Sequence, residues 1–332
     1  MPASEPWSVS ATAGISSSAA RFASAGIRQA PSRTEYSLWT CKWTKGAGTG
    51  GSLSRPDLTT PFGVGNGFPL FANGIEQRRW GDKRRPRSAI VSSRMNWTLG
   101  LLDELAHAGK GHRDPGDVAR YDRKAGFDAD VEEEVTLLRG LGLDERSTLV
   151  DLGAGTGTLA LAAAATCRRV VAVDVFPAMV AAAKEKVAEH GASNIECLQA
   201  GFLSYEHVGD PADFVYSRNA LHHLPDFWKA VALDGIARML APGGILRLRD
   251  IVFAFDPGEA QRFIHAWLES GKTRSDDGWT RAELEEHLRE EHSTFGWLLE
   301  PMLERAGLEI EHADYGSRRI YAEYVCVKTG RS

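Results

Sequence analysis

Residues 149–158 read Leu149-Val150-Asp151-Leu152-Gly153-Ala154-Gly155-Thr156-Gly157-Thr158. The apolar residues before the glycines predict a strand, and the residues that follow are spaced as in a helix. Glycines let a backbone turn tightly and approach a ligand closely. A second predicted strand ends in Asp174, 17 residues after Gly157, where a carboxylate can accept hydrogen bonds from ribose hydroxyls. The segment therefore predicts a nucleoside-binding loop between a strand and a helix.

Strands and helices alternate after this loop. The pattern predicts strands at 148–152, 170–173, 195–198, 214–217 and 245–253, with helices at 158–166, 178–190 and 228–240 between them. A last helix at 298–306 precedes two strands, 308–313 and 319–327, which are predicted to form an antiparallel hairpin. This order predicts an α/β fold: a doubly wound, Rossmann-like, seven-stranded, mostly parallel sheet with a C-terminal antiparallel hairpin.

The chain divides into two parts of different composition. Residues 1–94 are rich in Ser, Gly, Ala, Pro and Arg and lack periodicity, which predicts a disordered, low-complexity extension. Three alternatives stay open for this extension. Its basic residues could form an arm that binds nucleic acid, and residues 1–40 could be a transit peptide. The natural chain could also start at Met95. Residues 95–332 are predicted to form one domain. Its parts are N-terminal helices at 96–140, a core at 148–253, a helical insert at 254–297, and the last helix and hairpin at 298–328.

Charge and composition narrow the function. Residues 95–332 carry 26 Lys and Arg against 39 Asp and Glu, a balance of −13. Because nucleic acids and anionic membranes are polyanions, this balance argues against either as an obligatory partner. No apolar run is long enough to predict a membrane span. The four cysteines are scattered, which predicts no disulfide scaffold and favours the cytoplasm. The oligomeric state is left open.

The acid before the glycines narrows the ligand class. Asp151 lies two residues before Gly153 and would repel a pyrophosphate, whereas it suits a ligand with an ammonium group. The G-x-G-x-x-G spacing of dinucleotide-binding loops is absent. The run resembles the first motif of class I S-adenosylmethionine-dependent methyltransferases, (D/E)-x-G-x-G-x-G, and the resemblance extends over about residues 115–328. It implies a methyltransferase with S-adenosylmethionine as its cofactor.

The resemblance also implies which residues bind the cofactor. The loop would hold the methionine moiety, through Asp151, Gly153, Ala154, Gly155 and Gly157. Asp174 would bind the ribose, and the adenine would contact Val175, Phe176, Met179, Gly201 and Phe202. Met179 equally suits packing within its helix. Many relatives carry an acid after the third strand that reaches the adenine amino group. Here that acid is missing, so that backbone groups or Gln199 are expected to serve.

Three further positions are implied at the cofactor. Arg218 and Asn219 follow the fourth strand, where strand ends meet ligands in open α/β sheets. Tyr121 is either a lid over the cofactor, as in relatives, or an ordinary residue of an amphipathic helix.

Two histidines and one acid are the candidate catalytic residues. His222 or His223 could take a proton from the methyl acceptor, although such a pair also commonly caps and packs a turn. Asp250 closes the fifth strand and either faces the pocket or caps a loop. No metal site is predicted, because adjacent histidines are expected to point apart and no third ligand is evident.

The acceptor is the least determined feature. The Asn-Pro-Pro-Tyr motif for base amino groups and the paired glutamates of arginine methyltransferases are both absent. A small-molecule acceptor, methylated by in-line displacement, is therefore the favoured prediction. Two alternatives stay open: a protein or RNA methyltransferase guided by the basic tail, and a non-catalytic S-adenosylmethionine-binding protein.

Overall fold

A computed structural model describes residues 101–108, 118, 127–274 and 278–330. The predicted extension at 1–94 and the candidate lid residue Tyr121 lie outside the described residues, so both stay predictions.

The sheet follows the predicted order. Its strands are β1 (Thr148–Leu152), β2 (Arg169–Asp174), β3 (Ile195–Gln199), β4 (Ala212–Arg218), β5 (Leu240–Phe253), β6 (Thr294–Phe295), β7 (Leu308–Asp314) and β8 (Tyr321–Lys328). The order across the sheet is β3-β2-β1-β4-β5-β8-β7. β1 to β5 pair in parallel, whereas β8 is antiparallel to both β5 and β7. The predicted seven strands and hairpin are confirmed, and the two-residue β6 adds a short parallel pair at the end of β5.

Helices connect the strands on both sides of the sheet. They are α1 (Glu104–His107), α2 (Phe127–Gly140), α3 (Thr158–Ala164), α4 (Pro177–Glu189), α5 (Asp226–Met239), α6 (Ala260–Glu269), α7 (Arg281–Glu290) and α8 (Gly296–Ala306). Short 3-10 turns occupy Leu221–His223 and Pro257–Glu259. Among the described residues, no helix has both the length and the apolar character that crossing a bilayer requires.

Burial on both faces explains the apolar strands. All five residues of β1 are buried. Leu149 packs in one cluster with Leu138 of α2, while Val150 packs in another with Leu233 of α5. Successive side chains of a strand point to opposite faces, so a sheet covered by helices on both sides needs apolar residues at every position. This places the carboxyl ends of the parallel strands, and the loops after them, at one edge of the core.

The helical insert has a core of its own. Phe253, Phe255 and Trp267 are buried together with Leu284 of α7. α7 begins with a capping box, in which Thr280 and Glu283 each bond the other's backbone N–H. Aromatic residues of the insert therefore mainly bury it against the end of β5. Two exceptions, Trp279 and Trp297, remain exposed.

A buried ionic network joins α2 to the middle of the sheet. Arg247 of β5 is 1% exposed and donates to Glu134 of α2 at 2.8 Å and to Glu323 of β8 at 2.6 Å. Arg249 contacts Glu134 and Asp130 of α2, each at 3.0 Å. Because charges removed from water need partners, this network fixes α2 against β5.

We predict that Arg247→Met lowers the free energy of unfolding by about 3–5 kcal/mol, because Glu134 would stay buried without its main partner. Urea unfolding measures the effect. Arg238→Met is the matched control: Arg238 forms an exposed pair with Asp234, and pairs of this kind contribute only about 0.3–0.5 kcal/mol. Equal losses in the two variants would contradict a stabilising role for the buried network.

Candidate active site

The glycine loop is held against the neighbouring strands by its backbone. The N–H groups of Gly153 and Ala154 donate to the carbonyl of Val173 at 2.8 and 3.0 Å. Gly153 has φ +76°, and a Cβ on it would lie 2.4 Å from Cβ of Ala220. Any larger residue would therefore push the segment after β4 away from the loop, which is why glycine is needed here.

Asp174 ties two loops together at the end of β2. Its carboxylate accepts from the N–H of Gly155 at 2.8 Å and from the N–H of Phe176 at 2.9 Å. Burial raises the pKa of Asp174, although these hydrogen bonds oppose the rise. A buried acceptor with fixed orientation suits the hydroxyls of a ribose.

We call the cavity beside the glycine loop the main cavity. It brings together most of the predicted cofactor residues: Gly153, Gly155, Asp174, Val175, Phe176, Met179, Gly201, Phe202 and Asn219. Met179 both lines the cavity and is buried against Phe176, so its two proposed roles coexist. One wall is thus apolar and one edge polar, an arrangement typical of ligand sites.

A second cavity shares Gly153 and Gly155 with the main cavity. It is lined by the other predicted loop residues, Asp151 and Ala154, and by Arg218. Asp151 is 3% exposed, and burial together with the nearby Asp174 raises the pKa of its carboxyl to about 8. Arg218 also forms an ion pair with Asp130 at 2.6 Å. A carboxyl group and a guanidinium therefore border one cavity.

Gly157 has a different place from the rest of the loop. It precedes α3 with φ +74° and lines neither cavity. A Cβ there would lie 3.1 Å from Cβ of Ala183 in α4. Its position serves the close packing of α3 against α4, so we do not place it in contact with a ligand.

Glu104 of α1 lines the main cavity, although no sequence motif marks it. Its carboxylate accepts from the N–H of Leu203 at 3.1 Å and from the hydroxyl of Ser204 at 3.0 Å. A Cβ on Gly201 would lie 2.3 Å from Oε1 of Glu104. Burial raises the pKa of Glu104. An acid thus reaches the turn after β3 from a distant part of the chain, whereas Gln199 turns to the carbonyl of Val175.

The three predicted catalytic residues do not all lie at the main cavity: His223 lines it, whereas His222 and Asp250 do not. Asn219, with φ +51°, turns the chain from β4 into the 3-10 turn that carries both histidines. Asp250 accepts from the backbone N–H of His222 at 3.0 Å and contacts its ring Nδ1. Asp250 therefore holds the turn that carries both histidines, which fits its predicted alternative as a loop cap.

The expectation that the two histidines point apart is wrong. Their ring centroids are 4.3 Å apart, and Oε2 of Glu291 lies 2.9 Å from Nε2 of His222 and 3.6 Å from Nδ1 of His223. His287 approaches the same oxygen at 2.6 Å. The helical insert supplies both Glu291 and His287, and neither is marked by any motif. Their convergence depends on how the insert packs.

Charge is concentrated at this cluster. Burial acts to lower the pKa of His222, but Asp250 and Glu291 outweigh it and raise that pKa to about 9. Burial acts to raise the pKa of Glu291, but hydrogen bonds from His222 and His287 lower it strongly. The interior next to the cavity therefore favours a positive charge held between two carboxylates.

Comparisons with known proteins agree with the loop motif. A family model described as a methyltransferase domain matches residues 149–244. An uncharacterized methyltransferase of Bacillus mycoides is 28% identical over 155 residues, which cover 47% of this chain and 68% of the relative. Among solved structures, a SAM dependent methyltransferase from Aquifex aeolicus has a TM-score of 0.47 at 20% identity, covering 65% of this chain and 99% of its own. Magnesium protoporphyrin IX methyltransferase from Synechocystis has a TM-score of 0.47 at 17% identity, with coverages of 69% and 99%.

We predict that Asp151→Asn flattens the pH dependence of stability. The carboxyl of Asp151 has a pKa of about 8 in the folded chain and about 3.9 in an unfolded one. The folded state therefore holds an extra proton, and the wild-type free energy of unfolding falls as the pH rises through that interval. Between about pH 5 and pH 8 the wild type should lose at least about 1 kcal/mol more than the variant.

Urea unfolding at several pH values measures this difference. Other titrating groups, His222 included, are common to both proteins, so their contributions cancel in the difference between the two free energies of unfolding. Asp210→Asn is the control, because Asp210 has an 80% exposed side chain. Parallel pH profiles of the wild type and Asp151→Asn would show that Asp151 is ionised in the folded protein.

Proposed function

We propose that this protein, which is a class I S-adenosylmethionine-dependent methyltransferase, transfers the methyl group to a small molecule bound in the main cavity. Methyl transfer from S-adenosylmethionine is the reaction from which this proposal starts. We also propose the roles given below for individual residues and a location in the cytoplasm.

The residues of the two cavities fit the parts of the cofactor. Asp174 presents a buried acceptor to the ribose, and the apolar walls at Phe176 and Met179 suit a flat base. The second cavity places Asp151 and Arg218 where an amino acid moiety needs opposite charges for its ammonium and carboxylate. An ammonium beside Asp151 would also offset the cost of ionising a buried carboxyl.

The chain contributes positioning rather than covalent chemistry. When bound, S-adenosylmethionine supplies a methyl group that its sulfonium already activates. The glycine loop and Asp174 hold the donor, and the cavity walls exclude water and align the acceptor. Alignment of this kind can supply up to roughly 7–11 kcal/mol, so the site needs no nucleophilic side chain.

A single observation supports the proposal of a small acceptor: residues that follow β4 line the same cavity as Asp174, the residue proposed to bind the methyl donor. These residues are Asn219, Ala220, His223 and Leu224. In this proposal His223 faces the acceptor. His222, which Asp250 holds in place, positions His223.

Charge and thiol chemistry support the remaining parts of the proposal. The balance of −13 over residues 95–332 disfavours a polyanionic acceptor such as RNA. The described cysteines, Cys167, Cys197 and Cys326, are free thiols, which suits the reducing cytoplasm.

Methyl transfer into fractionated cell extract tests this proposal. The full chain is incubated with S-adenosylmethionine labelled in its methyl group, together with either the dialysable metabolites or the retained protein and RNA. We expect label in the metabolite fraction, and Asp174→Ala should abolish the transfer because the donor loses its ribose contact. Label confined to protein or RNA would overturn the small-molecule acceptor.

We predict that Glu104→Gln weakens recognition of the adenine. The carboxylate of Glu104 only accepts hydrogen bonds, so it favours the amino group of adenine over the oxygen of a deaminated base. Calorimetry compares S-adenosylhomocysteine with its inosine analogue. We expect the wild type to prefer the adenine form by at least about tenfold, roughly 1.4 kcal/mol, and the variant to lose most of that preference.

Asp174→Ala should weaken both ligands equally, since it removes a ribose contact. An unchanged preference in Glu104→Gln would place the base elsewhere in the cavity.

A further inference from the structure

Three histidines and one acid converge beside the main cavity. We call His222, His223, His287 and Glu291 the histidine cluster. His222 and His223 come from the 3-10 turn after β4, His287 from the last turn of α7, and Glu291 follows α7 directly. One donor atom each of His222, His223 and Glu291 lies within 4.8 Å of the others. Nδ1 of His287 lies 2.6 Å from Oε2 of Glu291.

Hydrogen bonds outside the cluster fix the direction of two rings. Nδ1 of His222 contacts Asp250, whose carboxylate also accepts from the backbone N–H of His222 at 3.0 Å. Nε2 of His287 lies 2.7 Å from the hydroxyl of Ser293. In each ring the outer nitrogen has a polar partner while the inner nitrogen faces Glu291. Metal-binding histidines are oriented in this way by acceptors behind them.

The contacts between the inner ring nitrogens and Glu291 are difficult to make as hydrogen bonds when the imidazole rings are neutral. A neutral imidazole carries one N–H. If Nδ1 of His222 donates to Asp250, its Nε2 presents a lone pair to Oε2 of Glu291 at 2.9 Å, and two acceptors face each other. A cation between them removes this conflict. An added proton bridges only two atoms, whereas a metal ion can bond the donor atoms of His222, His223 and Glu291 at once.

From this geometry we propose that His222, His223 and Glu291 bind one divalent transition-metal ion of the Zn²⁺ class, and that His287 positions Glu291. Imidazole nitrogens and one carboxylate, without thiolates, are ligands typical of Zn²⁺ in four-coordinate sites. With metal–ligand bonds of about 2.0–2.1 Å, tetrahedral ligands lie about 3.3 Å apart. Nε2 of His222 and Nδ1 of His223 lie 2.9 and 3.6 Å from Oε2 of Glu291, on either side of that value.

The position of the site connects it to the reaction. His223 belongs to the cluster and also lines the main cavity. An ion held there would lie next to the acceptor, where it would lower the pKa of an acceptor hydroxyl and so help to form the oxygen nucleophile that attacks the methyl carbon. Ion binding itself does not depend on the proposed acceptor, so it can be measured without cofactor or substrate.

Titration of the full chain with Co²⁺ tests the site, because this ion gives a visible spectrum that reports tetrahedral nitrogen and oxygen ligands. The chain is first stripped with a chelator and dialysed. We expect one equivalent bound with a Kd below about 1 µM and displaced by Zn²⁺. Glu291→Gln and, separately, His287→Ala should each weaken binding at least tenfold, and Asp250→Asn should weaken it about 10–100-fold through His222.

His265→Ala is the matched control, because His265 is an exposed histidine outside the cluster and should leave the titration unchanged. Circular dichroism confirms that each variant is folded before it is compared. Absence of the tetrahedral spectrum or of one-to-one binding in the wild type overturns the proposal and leaves the cluster as a proton-holding network. Binding that persists unchanged in the folded Glu291→Gln and His287→Ala variants also overturns it, since the ion would then lie elsewhere.

Discussion

The approach of Gly153 to Ala220 is the constraint on which the site depends. A Cβ at Gly153 would lie 2.4 Å from that of Ala220, so the loop after β1 and the segment after β4 are in contact only because one of them has no side chain. Through this contact the donor loop and the turn that carries His223 border one cavity. The hydrogen bonds that the N–H groups of Gly155 and Phe176 donate to the Asp174 carboxylate then set the third side of that cavity.

Buried charged residues are the second feature that organises the structure. They occur in the ionic network of the sheet and at Asp151, and they have a different effect at each site. Arg247, Arg249 and their acidic partners are paired within the sheet and α2, so they contribute to the fold. At Asp151, burial and the nearby Asp174 instead raise the pKa of the carboxyl. A buried carboxyl with a shifted pKa that also borders a cavity is characteristic of a binding site.

The helical insert, which family motifs do not describe, contacts the turn that carries His222 and His223. Its backbone is tied to the histidine turn where the N–H of His292 donates to the carbonyl of His222 at 2.9 Å. β6 then pairs with the end of β5. These two attachments bring Glu291 and His287 to the histidines. The proposed metal site therefore depends on the insert, while the cofactor cavity is built mainly by the loops after the parallel strands.

The sequence alone determined the fold and the cofactor loop, because both depend on local patterns: alternating apolar runs, three glycines at fixed spacing, and an acid at the end of β2. Only the tertiary structure decided which polar groups meet. Glu104 contacts a turn 99 positions away in the chain, His222 faces away from the cavity that His223 lines, and Gly157 packs against α4. Glu291 and His287 resemble ordinary residues of a polar helix. Side-chain direction and long-range packing are not encoded in local spacing, so these contacts appear only once the chain has folded.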